Sequence, residues 1–596
     1  MPPVLIFTVF CIYFEKVLEV EMKTSNYETL LTPFAEDMDK RVPWSDYPRP
    51  TMVRDSYMTL NGTWDFAISK DEFPVKYSEK ILVPFPPESR LSGYHSEISK
   101  GYRMYYRRTF TLPEGFNKGK VIFHIGACDT VSVVYINGNA VAENEGGYLP
   151  YHADITNALT DGKNEIIICA KDDLDKTYPY GKQTRERGGM WYTPVSGIWQ
   201  SVWLESVPVD YIEKIKITSK IDRVIIETFG GAEEKKLTLS DGTVYKWQGA
   251  CYEIAPENPI QWSPENPYLY EFTLECGEDK IGSYFALRSI ETGFSDGIPR
   301  LLLNGKPYLF NGLLDQGYYP DGLFLPATSE GYLNDILTAK RLGFNMLRKH
   351  IKVEPEIFYY LCDKHGMAVF QDMVNNSDYS FILDTALPTV GLKHMPDNLR
   401  HKSKQSRKIF IEHSLLTLEH LSSFPCIVYY TIFNEGWGQF SADLVYELIK
   451  SREPNRIIDA TSGWFIRKRS DVDSRHVYFK PVKLGKVKNR PIVISEFGGY
   501  SYRVKGHLFG DGNYGYRLFK TNEEFEEAFI KLYSEEISPL IPLGISALVY
   551  TQVSDIEDET NGIMTYDRRV LKLTPAKIKP IMDKMQLSIN NERTEG

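Results

Sequence analysis

Over residues 45–208 apolar and polar residues alternate in short runs separated by polar turns. Examples are Y-Y-R-R-T-F-T-L (105–112), V-S-V-V-Y-I (131–136) and S-V-W-L-E (201–205). A period of two is the signature of strands with one buried face. Asn61-Gly62 and Asn137-Gly138 are hairpin signals, because both residues tolerate positive φ. No helical run interrupts the series, which predicts an all-β jelly-roll sandwich. Residues 209–292 repeat the style at smaller scale, with strand patterns at 215–217, 224–226, 237–239 and 269–275. That length of antiparallel strand predicts an immunoglobulin-like β-sandwich.

From about residue 293 the apolar runs become continuous and alternate with amphipathic segments, the mark of a parallel sheet buried on both faces. Strands are predicted at 308–315, 345–350, 368–372, 427–434, 457–461, 476–479, 492–496 and 547–555. A helix is predicted over 404–421, where Ile411, Leu415 and Leu418 share a face, and another over 522–536. Eight strands alternating with helices predict a (β/α)8 TIM barrel. The connection between the sixth and seventh strands is too short for a full helix. The reading is therefore a multidomain chain: an N-terminal extension (1–44), a sugar-binding-like jelly roll (45–208), the smaller sandwich (209–292) and a barrel (293–596).

Composition narrows the function. The 596 residues, 42% hydrophobic and 25% charged, are those of a globular protein. A net charge of −10 without a basic cluster argues against nucleic acid as a partner. Aromatics reach 13%, which suits flat faces that stack on sugar rings, although β-rich cores also use them. Seven cysteines without C-x-x-C spacing suggest neither a disulfide framework nor a zinc site. The apolar stretch 3–14 is too short to span a bilayer and lacks a basic flank and cleavage site, so Met22 is a plausible true start. No membrane association and a cytoplasmic location are expected.

Two of the continuous strands end in glutamate. C-I-V-Y-Y-T-I-F-N-E-G-W-G (426–438) delivers Glu435, and P-I-V-I-S-E-F-G-G (491–499) delivers Glu496. Carboxylates at the C-terminal ends of barrel strands lie on the face where such barrels keep their chemistry. A pair of them can act as acid and nucleophile of glycoside hydrolysis, or can equally be salt-bridged or hold a metal.

Taken in order, the motifs resemble glycoside hydrolase family 2, the family of β-galactosidases, β-glucuronidases and β-mannosidases. The resemblance runs from about residue 45 to 580. It rests on Y-Y-R-R-T-F (105–110), the segment from Asn137-Gly138 to Thr156, S-G-I-W-Q-S-V-W-L-E (196–205), L-N-G-K-P-Y-L-F-N-G (303–312), G-F-N-M-L-R-K-H (343–350), F-N-E-G-W-G (433–438) and I-S-E-F-G-G (494–499). It implies a retaining exo-β-glycosidase without cofactor, with no metal ligand among its candidate residues, Glu435 as acid/base, Glu496 as nucleophile and Asn434 on the sugar 2-hydroxyl. Arg348 and His350 would support the nucleophile and line the sugar subsite, and Tyr478 would either bond the nucleophile or simply pack. Tyr550 falls where the family often has a tryptophan platform. Asp315 and Gln316 replace a more basic segment and are candidates for sugar contact. Trp437 and Trp464 either stack on an aglycone or pack; Asp372 binds either a hydroxyl or an arginine. A β-galactoside is the first expectation. β-Glucuronide, β-mannoside and a non-catalytic carbohydrate-binding role stand as alternatives, and a homo-oligomer is compatible with all of them. The acids Asp555, Glu557, Asp558 and Glu559, with no Asn-x-Lys motif, speak against a uronate unless Arg568 and Arg569 neutralise them.

Overall fold

The computed structural model describes residues 30–70, 73–389, 397, 401–465, 467–478, 480–484 and 489–589. The segment 1–29, with its apolar stretch and Met22, and Phe479 of the predicted sixth strand lie outside them. Residues 30–44 are more than an extension. Leu30, Met38 and Trp44 are buried in the largest core cluster, and Trp44 Nε1 donates to Pro326 O.

The first sandwich packs a six-stranded antiparallel sheet on a four-stranded one, closing over Trp64, Phe66, Tyr106, Phe123 and Leu204. Asn137 and Gly138, both at positive φ, form the tight turn between Val131–Ile136 and Asn139–Glu145. Asn61-Gly62 does not make a hairpin. Tyr57–Thr59 and Gly62–Ser69 belong to different sheets, and the Asn61 amide ties the crossing to Pro43 O, Trp44 O and Ser201 Oγ. The second sandwich packs three strands on four. The expected boundary at 292/293 falls inside the strand Ile290–Ser295. That strand hairpins with Ile298–Leu303 and plugs the N-terminal end of the barrel, where Ile290, Leu301 and Leu303 meet Phe310 and Val428.

The barrel strands are β1 (Phe310–Asp315), β2 (Met346–Lys349), β3 (Ala368–Asp372), β4 (Ile427–Asn434), β5 (Ile457–Ser462), β6 (Asp473–Val477), β7 (Ile492–Gly498) and β8 (Ile545–Thr551). They pair in parallel in the order 5-4-3-2-1-8-7-6. The helices are α1 (Glu330–Arg341), α2 (Glu356–His365), α3 (Lys404–Leu421), α4 (Ala442–Arg452), α5 (Asn522–Lys531, continued as a π-helix over Leu532–Ile537) and α6 (Pro575–Ser588). Among the described residues no helix follows β6, as its short connection requires, and none follows β5 either. β5 and β6 are joined by side chains rather than a ladder: Ser462 Oγ lies 3.2 Å from His476 Nε2. No described helix is long and apolar enough to cross a membrane.

Alternation along each strand sorts side chains between barrel interior and helix layer. Phe310, Met346, Phe370, Val493 and Val549 face inward, and Leu313, Leu347, Val369, Ile494 and Leu548 face the helices. Toward the C-terminal end the inward positions turn polar, and there the candidate residues converge.

Candidate active site

β4 is buried on both faces through Asn434 and then turns sharply. Glu435, Gly436 and Gly438 all have positive φ, and Trp437 N donates to Asn434 O. A Cβ on Gly436 would meet Phe465 and Gln439 at 2.4 Å, so only glycine fits. Glu435 itself has φ +52°, a region that costs a non-glycine residue free energy and concentrates at functional sites. Its N–H is held by Ser462 O at 2.7 Å, which fixes the carboxylate over the β5–β6 seam.

Arg348, fully buried on β2, organises the floor. Nε and Nη2 donate to the two oxygens of Asp372 at 3.0 Å each, Nη1 to Glu496 Oε1 at 3.1 Å, and Nη2 to Asn434 Oδ1 at 2.8 Å. A planar fork suits this bidentate role. Burial alone would lower its pKa, but the charges of Asp372 and Glu496 raise it. Asp372 is thus arginine-bound, and its Oδ2 also meets His350 Nδ1 at 2.8 Å. Burial lowers the His350 pKa despite Asp372. Glu496 Oε2 accepts from Tyr478 OH at 2.5 Å, and the Tyr478 ring stacks on Tyr516. Burial works against the Glu496 charge, yet His476, Arg348, His350 and Tyr478 together hold its pKa below the ordinary value.

The sequence patterns do not single out His476. Its Nδ1 lies 3.0 Å from Glu435 Oε1 and 3.4 Å from Glu496 Oε2. The signal was available, since His476 is two residues before Tyr478 and so shares its strand face. The three donor atoms of Glu435, His476 and Glu496 lie within 4.8 Å of one another, the one grouping among the described residues that could hold a divalent cation.

Other candidates lie elsewhere. Asp315 is locked in a buried ion network, 2.6 Å from Lys349 Nζ, which in turn reaches Glu354. Gln316 is buried beside it in sequence, and its Oε1 has no hydrogen-bond partner among the described residues. Tyr550 points the wrong way for a platform: it is fully buried in the helix layer among Phe497, Phe529 and Tyr533. Its neighbour Thr551 faces inward and meets Tyr478 OH at 3.0 Å. Trp437 is packed, donating to Ser377 O and set edge-on to Trp191 and Tyr379. Trp464 is buried 5.6 Å from the His476 ring, its indole N–H without a hydrogen-bond partner among the described residues.

The first sandwich reaches this mouth through residues 176–193. Tyr180 OH donates to Ser377 O, Tyr192 OH to Glu559 Oε2 at 2.6 Å, and Thr193 N to Glu557 Oε1 at 2.9 Å. Asp555, Glu557 and Glu559 are therefore buried and bonded rather than facing solvent, while Asp558 is half-buried. Burial pushes Glu557 and Glu559 up to about 7 and Asp555 to about 6. Lys572 neutralises Asp555, whereas Arg568 pairs with Asp335 and Arg569 with Glu36. Lys182 on the same loop lies over Trp191, makes no ion pair among the described residues, and its charge is felt by His350 and Glu559.

Residues 94–197 match the family model described as the glycosyl hydrolase 2 galactose-binding domain-like. A β-galactosidase of Thermoanaerobacter pseudethanolicus is 26% identical over 53% of this chain and 44% of its own length. One from Priestia megaterium is 21% identical over 83% of this chain and 50% of its own. The chain thus spans about half the length of the curated relatives it matches. Among solved structures, an uncultured Clostridium sp. β-glucuronidase superposes with TM-score 0.70 at 17% identity, covering 90% of this chain and 99% of that one. A Dictyoglomus thermophilum β-D-glucuronidase gives 0.68 at 17%, covering 90% and 98%. With the ordered motifs, the two sandwiches and the barrel, these matches support glycoside hydrolase family 2 as the family this chain resembles.

Proposed function

We propose that the chain is a retaining exo-β-glycosidase with Glu496 as nucleophile and Glu435 as acid/base. The observation that carries this is the approach of the two carboxylates to within 4.8 Å. Retention calls for carboxyl groups about 5–5.5 Å apart, and inversion for about 6.5–9.5 Å to admit a water. Glu496, kept ionised by its cationic surroundings, attacks the anomeric carbon while Glu435 gives its proton to the departing oxygen. In the second step Glu435 takes a proton from water, which attacks the same carbon and frees Glu496. Arg348 and Tyr478 hold the nucleophile's oxygens; Asn434, its Oδ1 engaged by Arg348, keeps its amide donors for the sugar 2-hydroxyl. His350, oriented by Asp372, presents its other nitrogen.

A β-galactoside is the first substrate proposed, on the names of the sequence relatives. A uronide is the second reading, favoured by Lys182 at the mouth and by the β-glucuronidases and β-galacturonidase of similar fold. Asp555, Glu557 and Glu559 argue against it less than their number suggests, because Lys572 answers the first and the other two hold the sandwich loop with pKa values raised to about 7. Turnover of nitrophenyl β-galactoside, β-glucuronide, β-galacturonide and β-mannoside at matched pH decides. Retained anomeric configuration on one of them is expected; no turnover of any would refute the proposal.

A further inference from the structure

His476 stands between the two carboxylates with one nitrogen for both. Its Nδ1 is 3.0 Å from Glu435 Oε1 and 3.4 Å from Glu496 Oε2, while Nε2 is 3.2 Å from Ser462 Oγ. The Ser462 hydroxyl can donate or accept, so it serves Nε2 in either protonation state of the ring. The ring is also seated by shape. Gly463 has φ +86°, and a Cβ there would lie 2.4 Å from the imidazole carbons. The side chain is buried completely, so water does not compete for Nδ1.

Resting on the glycosidase reading above, we propose that His476 is a positioning residue that shares a single Nδ1–H between the two glutamates and gives it wholly to Glu435 once Glu496 is esterified. In the free enzyme Glu496 is the anion and Glu435 keeps its acid proton, and the N–H is shared between them, 3.0 Å from Glu435 and 3.4 Å from Glu496. Once Glu496 is esterified it is neutral, and Glu435 has become the anion by giving its proton to the leaving group. The same N–H then serves Glu435 and holds it aimed at the incoming water. No covalent bond to His476 forms and no proton leaves it; only the sharing of the N–H changes. Tyr478, Arg348 and His350 also face Glu496, Tyr516 and Tyr478 face Glu435, Asp459 faces His476 from β5, and Glu559 faces Glu496 from beyond β8. All of these remain in a His476 variant, so a change in pH dependence there reports the Nδ1–H.

Removing the donor makes both carboxylates hold protons more tightly, so both limbs of the pH profile move the same way. His476→Leu is expected to shift the acidic and basic limbs of kcat/KM to higher pH by about half a unit to one unit. His476→Asn, whose amide nitrogen replaces Nδ1, should return both limbs toward wild type. Ser462→Ala, which frees the ring from β5, should shift them in the same direction by less, and serves if the Leu variant does not fold. Limbs that stay put in His476→Leu or Ser462→Ala while only kcat falls would overturn this inference alone. Failure of His476→Asn to restore the limbs would also overturn it. A wild-type protein that turns over no β-glycoside would overturn the proposed function and this inference with it.

Discussion

Two groups of carboxylates lie at the same barrel mouth and behave in opposite ways. Glu496, with Asp372 below it, is buried against Arg348 and hydrogen-bond donors, and its pKa is held down. Glu557 and Glu559 are equally buried but meet mainly a backbone N–H, a phenol and an amide, and theirs rise to about 7. Burial is the leading cause in all four; what differs is whether a fixed cation answers it. The first group can carry a permanent anion to an anomeric carbon. The second is suited to docking one part of the chain onto another.

The contrast is broken most severely at Glu496. Glu496→Ala should abolish turnover, since no other group among the described residues is placed to form the glycosyl ester, and azide should restore reaction with inverted product. A few per cent of residual activity without added nucleophile would contradict the assignment. Glu435→Ala should cost about 10²–10⁴-fold with leaving groups that need protonation, and far less with nitrophenolates. An equal loss across leaving groups would point to a structural role instead.

Arg348→Met strips the cation from the first group. Glu496 and Asp372 should then hold protons more tightly, moving the acidic limb of the activity profile up by about one to three units, the reach of a close opposite charge. An unmoved limb would mean that Arg348 only packs.

The second group sharpens the contrast by its tolerance. The double variant Glu557→Gln, Glu559→Gln should keep kcat/KM within about threefold, because isosteric neutral groups replace carboxyls already half protonated near pH 7. Their folded pKa values exceed the ordinary 4.5, so their contribution to stability is full below that value and is lost as pH rises through about 7. Tm of the wild type should therefore fall more steeply between pH 5 and 8 than that of the double variant. Parallel Tm curves would show that the two acids are charged throughout.

Much of the frame was legible because burial on both faces writes continuous apolar runs. β3 and β4 match their predicted bounds, and α3 spans the predicted 404–421. Glu435 and Glu496 stand out as carboxylates that end such a run, a pattern that leaves catalysis, an ion pair and a metal all open until the motifs around them are read together. Tyr550 was misread by one position. A strand flips faces at each residue, and the inward neighbour is Thr551. Asn61-Gly62 carries a hairpin signal, yet local turn chemistry does not say whether the flanking strands share a sheet. His476, the sandwich loop at 176–193 and the docking role of Glu557 and Glu559 depend on contacts between residues far apart in sequence, such as the 367-residue span from Tyr192 to Glu559. No local pattern encodes those.

The central claim is that Glu496 becomes covalently glycosylated. Incubation with a 2-deoxy-2-fluoro-β-glycosyl fluoride of the preferred sugar, followed by intact and peptide mass measurement, tests it directly. The account predicts one fluoroglycosyl unit per chain, on the peptide carrying Glu496, and none on Glu496→Gln. A label on Glu435 or elsewhere, or continued turnover with no labelled enzyme, would contradict it.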